Sequence, residues 1–196
     1  MGRVSLPNVI TLARILLSPI FIVFFVSGGD YLFAAVLVGL LFEVTDFLDG
    51  ALARRRNQVT GFGKILDPLA DSISRFTVFL CLLWKGYAGV FAVAVIFYRD
   101  AIVSTVRTFA AYENVIVAAR WSGKLKAVVQ SVGIAAVLVI ILVYRNDPGP
   151  LDPPAAHVAV SRAIVWVVAI ATALSGVDYT VAHWSAISRF AGREKT

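Results

Sequence analysis

The chain has 196 residues, of which 59% are hydrophobic and only 15% charged, and its mean hydropathy is +0.83. Those figures exclude a soluble globular domain and imply an all-α integral membrane protein. The formal net charge of +6 reads as a topology signal rather than a nucleic-acid footprint, so no nucleic-acid partner is expected.

The chain opens with MGRVSLPNVITLARILLSPIFIVFF, a basic residue ahead of an apolar stretch. Asn8, Thr11 and Arg14 interrupt the start of that stretch and no small-residue cleavage site follows Phe25, which favours a first membrane helix over a signal peptide. Six apolar segments follow from the pattern, near 8–26, 31–53, 63–83, 87–110, 127–144 and 158–184. Short connectors at 27–30 and 84–86 impose antiparallel hairpins, and the proline-rich RNDPGPLDPP at 145–154 is a loop.

With sides alternating, Arg3, the Arg54 to Arg56 run, Lys64, Arg107, Arg120, Lys124, Lys126, Arg189, Arg193 and Lys195 fall on one face. Lys85 and Arg145 fall on the other. By the positive-inside rule both termini are cytoplasmic, in a single domain spanning 1–196 with six transmembrane helices. Cys81 has no partner in the chain, and His157 and His183 are far apart, so all three are read as structural.

The chemistry concentrates in DFLDGALARRRNQVTGFGKILDPLAD at 46–71, which holds four aspartates. Asp46, Asp49, Gly50 and Ala53 follow i, i+3, i+4, i+7 and share one helix face; Asp67 and Asp71, at i and i+4, share a face of the next helix. Charge at such a depth calls for pairing, hydration or a bound cation. All-carboxylate ligation suits Mg²⁺ or Mn²⁺, and two such ions about 3.5–4 Å apart can bridge a diphosphate. Gly50 and Ala53 then provide clearance for a ligand, and Arg54 is placed to meet a phosphate. The competing readings are helix-to-helix ion pairs with the arginines or, from another class, a divalent-cation transporter; the latter predicts carboxylates through the whole bilayer.

Asp49-Gly50-x2-Ala53-Arg54-x8-Gly63-x3-Asp67-x3-Asp71, preceded by Asp46, resembles the signature of the CDP-alcohol phosphotransferases, with every position filled. LPNVITLARILLSPI, FGKILDPLAD, YRDAIVSTVR and SGKLKAVVQ extend the likeness over most of the chain, with Ser72, Asp100 and Ala127 standing where relatives often carry Lys, Glu and Thr. The resemblance implies a six-helix membrane fold that dimerises, and transfer of a phosphatidyl group from CDP-diacylglycerol to an alcohol with release of CMP. It further implies two metal ions on Asp46, Asp49, Asp67 and Asp71, with Asp71 also the base. Gly50, Ala53, Arg54 and Gly63 would accommodate the CDP moiety, with Asn8 and Thr11 at its edge or in capping and packing roles.

The expected acceptor is glycerol 3-phosphate, with phosphatidylglycerol or an inositol phosphate as alternatives. Its phosphate would be held by cations on the fourth helix and the following loop, Arg107, Lys124 and Lys126, together with Arg14. The expected location is the inner membrane of a bacterium, with the site facing the cytoplasm. Glu43, Arg75, Arg99 and Asp100 lie at similar depth near mid-membrane and predict a buried charge cluster that floors the polar cavity.

Overall fold

The computed structural model is all-helical: α1 (Leu6–Ser27), α2 (Tyr31–Arg56), α3 (Gly61–Trp84), α4 (Val90–Tyr112), α5 (Trp121–Val143) and α6 (Ala156–Ala182). It describes residues 6–56, 61–112, 121–144 and 156–184; within the helices, the side chains of 6–8, 46–56, 61–65, 67 and 108–112 fall outside that description.

Even the shortest helix, α1 with 22 residues, reaches about 33 Å, enough for a hydrocarbon core about 30 Å thick. Among the described residues, three stretches qualify as spans by length and composition together: Val9–Ser27, Trp121–Val143 and Ala156–Ala182. α2 is apolar only over Tyr31–Thr45, because the aspartates and arginines occupy its second half. α3 carries Lys64, Asp67, Asp71 and Arg75, and α4 carries Arg99, Asp100 and Arg107.

The expected segments all have a helix, and α5 departs most from its expected start. It begins at Trp121, six residues before Ala127, because the helix continues N-terminally past the end of the apolar run. Lys124 and Lys126, expected in the loop after the fourth helix, therefore stand in the first turns of α5. Pro68 lies inside α3, and the helix runs through it.

The chain divides into two compact units, Met1–Ala88 with Ile134–Ser161, and Gly89–Gly133 with Arg162–Thr196. In the first unit α1 packs against both α2 and α3, and α2 and α3 touch each other. α1 buries a single stripe, Thr11, Arg14, Ser18, Phe21 and Phe25, polar towards its N-terminus and aromatic towards its C-terminus. Phe21 lies 5.4 Å from Phe25 and 5.9 Å from Phe42, ring centre to ring centre. The α1–α2 turn is made by Gly28 and Gly29 in the left-handed region, at φ 66° and 51°, which a side chain would strain.

In the second unit Val103 and Val106 of α4 pack with Tyr179 of α6. The polar Gln130 of α5 is satisfied by a bond from Nε2 to Thr172 Oγ1 at 3.1 Å, both residues being fully buried.

Candidate active site

In the first unit the described charges meet around Arg75 of α3. Its Nε lies 3.0 Å from Asp71 Oδ1, one turn earlier on the same helix, and its Nη2 lies 3.8 Å from Glu43 Oε2 on α2. The Arg75 and Glu43 side chains are almost enclosed, while Asp71 is 30% exposed. Asp71 is thus tied to a buried guanidinium while remaining partly exposed.

The Glu43–Arg75 contact also puts positions 43 and 75 at similar depth on two helices that run antiparallel. Each residue towards the α2–α3 connection advances about 1.5 Å on either helix, so Asp46 is level with the residue beside Asp71. By the same count Asp49 is level with Leu69, and Asp67 with Ala51. The four aspartates therefore occupy about two helical turns at one end of α2 and α3. The side chains of Asp46, Asp49, Gly50, Ala53, Arg54, Gly63 and Asp67 lie outside the described residues, so this placement is one of depth along the helices. A donor set of four carboxylates at one level fits a hard divalent cation.

α1 brings two further candidates towards the same level. Thr11 and Arg14 belong to the stripe that α1 buries against α2 and α3, with exposures of 0% and 3%. Counted from the tight α1–α2 turn, Arg14 is level with Glu43 and Val44, and Thr11 with Asp46 and Phe47. Ser18 Oγ donates to the Arg14 carbonyl at 3.1 Å, so the polar half of the stripe is tied into the helix itself. The Asn8 side chain lies outside the described residues.

The second unit holds the remaining candidates. Lys126 of α5 is 7% exposed, and its ammonium lies 2.8 and 3.1 Å from the two carboxylate oxygens of Asp100 on α4. Arg99 Nη1 reaches the same carboxylate at 2.9 Å. The aliphatic stem of Arg99 lies against Gly176 of α6, where a Cβ would fall 2.6 Å from Arg99 Cγ, so glycine is required for the guanidinium to pass. Arg107 is exposed on α4. Lys124 is exposed on α5, with its ammonium 5.8 Å from the centre of the Trp121 ring.

The single charge cluster expected from the sequence is described instead as two groups: Arg75 meets Glu43 and Asp71, and Asp100 meets Arg99 and Lys126, because each charge finds its partner within its own set of packed helices. Sequence reasoning missed the tie between Lys126 and Asp100, and also the hydrogen bond from Ser122 of α5 to the carboxylate of Asp178 on α6. An acid in the last apolar segment was the only signal of the second, and its partner 56 positions away left no mark in the pattern.

Comparison with known proteins adds to this geometry. A family model described as CDP-alcohol phosphatidyltransferase matches residues 4–175. The chain is 33% identical to the CDP-diacylglycerol–glycerol-3-phosphate 3-phosphatidyltransferase of Bacillus subtilis, over 93% of this chain and 97% of that one. Its fold is that of the phosphatidylinositol phosphate synthase of Mycobacterium tuberculosis. The structure of that protein with manganese and citrate gives a TM-score of 0.57 at 23% identity, covering 91% of this chain and 82% of the other. The structure with CDP-diacylglycerol bound gives the same score and identity, covering 91% and 86%.

Proposed function

This chain belongs to the CDP-alcohol phosphatidyltransferase family, and we propose that it transfers the phosphatidyl group of CDP-diacylglycerol to glycerol 3-phosphate, forming phosphatidylglycerophosphate and CMP. The observation that best supports the proposal is the Glu43–Arg75 contact, which joins α2 and α3 at the depth beyond which the four aspartates follow towards one end of both helices. The choice of acceptor is supported by the name of the Bacillus subtilis relative, which aligns over nearly its whole length.

Asp46, Asp49, Asp67 and Asp71 would hold two divalent ions, Mg²⁺ or Mn²⁺; the manganese complex of the structural neighbour supports the choice of metal. Bound metal would supply the positive charge that offsets the diphosphate and the departing CMP. Gly50, Ala53, Arg54 and Gly63 line the nucleotide, with Asn8 and Thr11 beside it. Asp71 accepts the proton of the acceptor's primary hydroxyl, whose oxygen then attacks the phosphorus bearing diacylglycerol as the bond from that phosphorus to CMP breaks. Arg75 fixes the direction in which the Asp71 carboxylate points. Arg107, Lys124, Lys126 and Arg14 hold the acceptor's phosphate.

The chain crosses the inner membrane of a bacterium six times as a single catalytic domain, with both termini in the cytoplasm, and pairs with a second copy. A site near the cytoplasmic boundary suits the two halves of the lipid donor, whose acyl chains remain in hydrocarbon while its diphosphate meets a water-soluble acceptor. The likeness to phosphatidylinositol phosphate synthase favours a second reading with an inositol phosphate as acceptor, because the cations around Asp100 would serve either phosphate ester.

The deciding assay uses purified protein with CDP-diacylglycerol, Mg²⁺ or Mn²⁺, and glycerol 3-phosphate, inositol phosphate or phosphatidylglycerol, following CMP release and the lipid product. CMP release with glycerol 3-phosphate alone is the expected result. Release only with another acceptor overturns the assigned substrate, and no release with any of the three overturns the enzyme reading.

A further inference from the structure

A cavity of about 450 Å³ opens in the first unit, at the end away from the aspartates. It lies where α1 ends, α2 begins and α3 ends, and its polar lining is Asp30, Lys85, Tyr87 and Tyr144. Asp46 is 15 residues further along α2, about 22 Å, so the cavity is separate from the catalytic end.

Its surroundings give it a depth in the membrane. Tyr31 and Trp84 are exposed beside it, Tyr31 stacking on Phe24 at 6.0 Å. Tyr144 stacks on His157 with ring centres 5.1 Å apart and planes 8° apart, and Tyr87 lies 5.8 Å from the same imidazole. Tyrosine, tryptophan and histidine gathered at helix ends place this level among lipid headgroups, where amphipathic rings are most stable. Phe25, Leu32 and Ile141 form the apolar part of the lining and lie within the helices, deeper than the charges.

Among the described residues, the lining carries one cation and one anion. Lys85 lies over the Trp84 ring at 5.1 Å and is also 3.6 Å from where a Cβ on Gly28 would stand, so the bare turn leaves room at its ammonium. Asp30 immediately precedes α2. Burial pushes the Tyr87 phenol above its ordinary range, so it remains a neutral hydroxyl that both donates and accepts.

We propose that this cavity binds the headgroup of a zwitterionic phospholipid carrying a primary ammonium. Its phosphate meets Lys85, its ammonium meets Asp30 with the tyrosine hydroxyls, and the first methylenes of its chains lie on Phe25, Leu32 and Ile141. A quaternary ammonium fits less well, since it has no N–H to donate to the carboxylate and the phenols. A primary ammonium has three N–H groups to donate to the carboxylate and phenols. The site is independent of which alcohol the enzyme uses.

The test uses delipidated full-length protein in detergent and counts retained short-chain phosphatidylethanolamine by native mass spectrometry, against phosphatidylcholine and phosphatidylglycerol with the same chains. Preferential retention of phosphatidylethanolamine is expected, falling at least tenfold in Lys85→Gln and in Asp30→Asn. CMP release should stay within twofold of the unmodified protein in both variants, which also shows that they fold. Equal retention of the three lipids, or retention unchanged in both variants, overturns the proposal. Water-soluble phosphoethanolamine competing as effectively as the lipid would overturn the lipid as its source.

Discussion

Among the described residues, each unit of this molecule ties charges together across its helices, and the two groups are built in opposite ways. In the first, a single guanidinium, Arg75, is shared by two acids, Asp71 and Glu43. In the second, a single carboxylate, Asp100, is shared by two cations, Arg99 and Lys126. Buried charges persist when they meet partners of opposite sign, and both groups do so across helices. The first lies on the helices that carry the signature aspartates, so its acids belong to the region proposed for the metal. The second lies beside the cations proposed for the acceptor. The contrast between an arginine that gathers acids and an acid that gathers cations shows where a change at each proposed site should be felt first.

The strongest test of the acidic side is Asp71→Asn. Losing a positioned proton acceptor removes about 10²–10⁴-fold in rate, so CMP release should fall by at least that much while the purified variant still binds CDP-diacylglycerol. Full turnover would remove Asp71 from the base role. Arg75→Ala comes next, because it leaves Glu43 without its α3 partner within the bundle. Breaking such a pair destabilises by about 3–5 kcal/mol, read as a lowered midpoint of thermal unfolding. Arg75→Lys should recover stability but not the rate, since an ammonium cannot reproduce the guanidinium's hold on two carboxylates. A fully stable, fully active Arg75→Ala would show that the acidic group is not the floor of the site.

The sequence made one side of the comparison far more legible than the other. Helical spacing was enough to align Asp46 with Asp49 and Asp67 with Asp71, because those relations lie within single helices. The Glu43–Arg75 contact is legible only as a matching of depths, and nothing in the residue pattern marks Asp71 as the second acid on Arg75. On the basic side, Lys124 and Lys126 were read as loop cations because the apolar run stops at Ala127, whereas the helix begins six residues earlier. What holds Lys126 is an acid 26 positions earlier on another helix, and what admits Arg99 is the absence of a side chain at Gly176. Such relations between helices depend on packing, which hydropathy and spacing do not encode.

The basic side can be tested by separating binding from chemistry. Asp100→Asn removes the acid that neutralises Arg99 and Lys126, and should change KM for glycerol 3-phosphate by about tenfold with KM for CDP-diacylglycerol unchanged. Such a change corresponds to about 1.4 kcal/mol, the scale of one charge-assisted contact. Equal effects on both substrates would indicate general loosening of the fold instead.

The smallest effect is expected at Ser122, whose hydroxyl donates to Asp178 and joins the first turn of α5 to α6. That turn also carries Lys124. Ser122→Ala removes one hydrogen bond to a charged group, worth about 1.5–3 kcal/mol, but leaves a half-buried carboxylate within reach of water, so the lower end applies. Lys124 then loses a fixed base for its side chain, and KM for the acceptor should rise about threefold with kcat held. Lys124→Ala should raise the same KM further, and the double variant should be no worse than Lys124→Ala alone, because the hydrogen bond acts through the lysine's position. Additive losses in the double variant would separate the two residues and leave the Ser122–Asp178 bond as a support of the helix pair only.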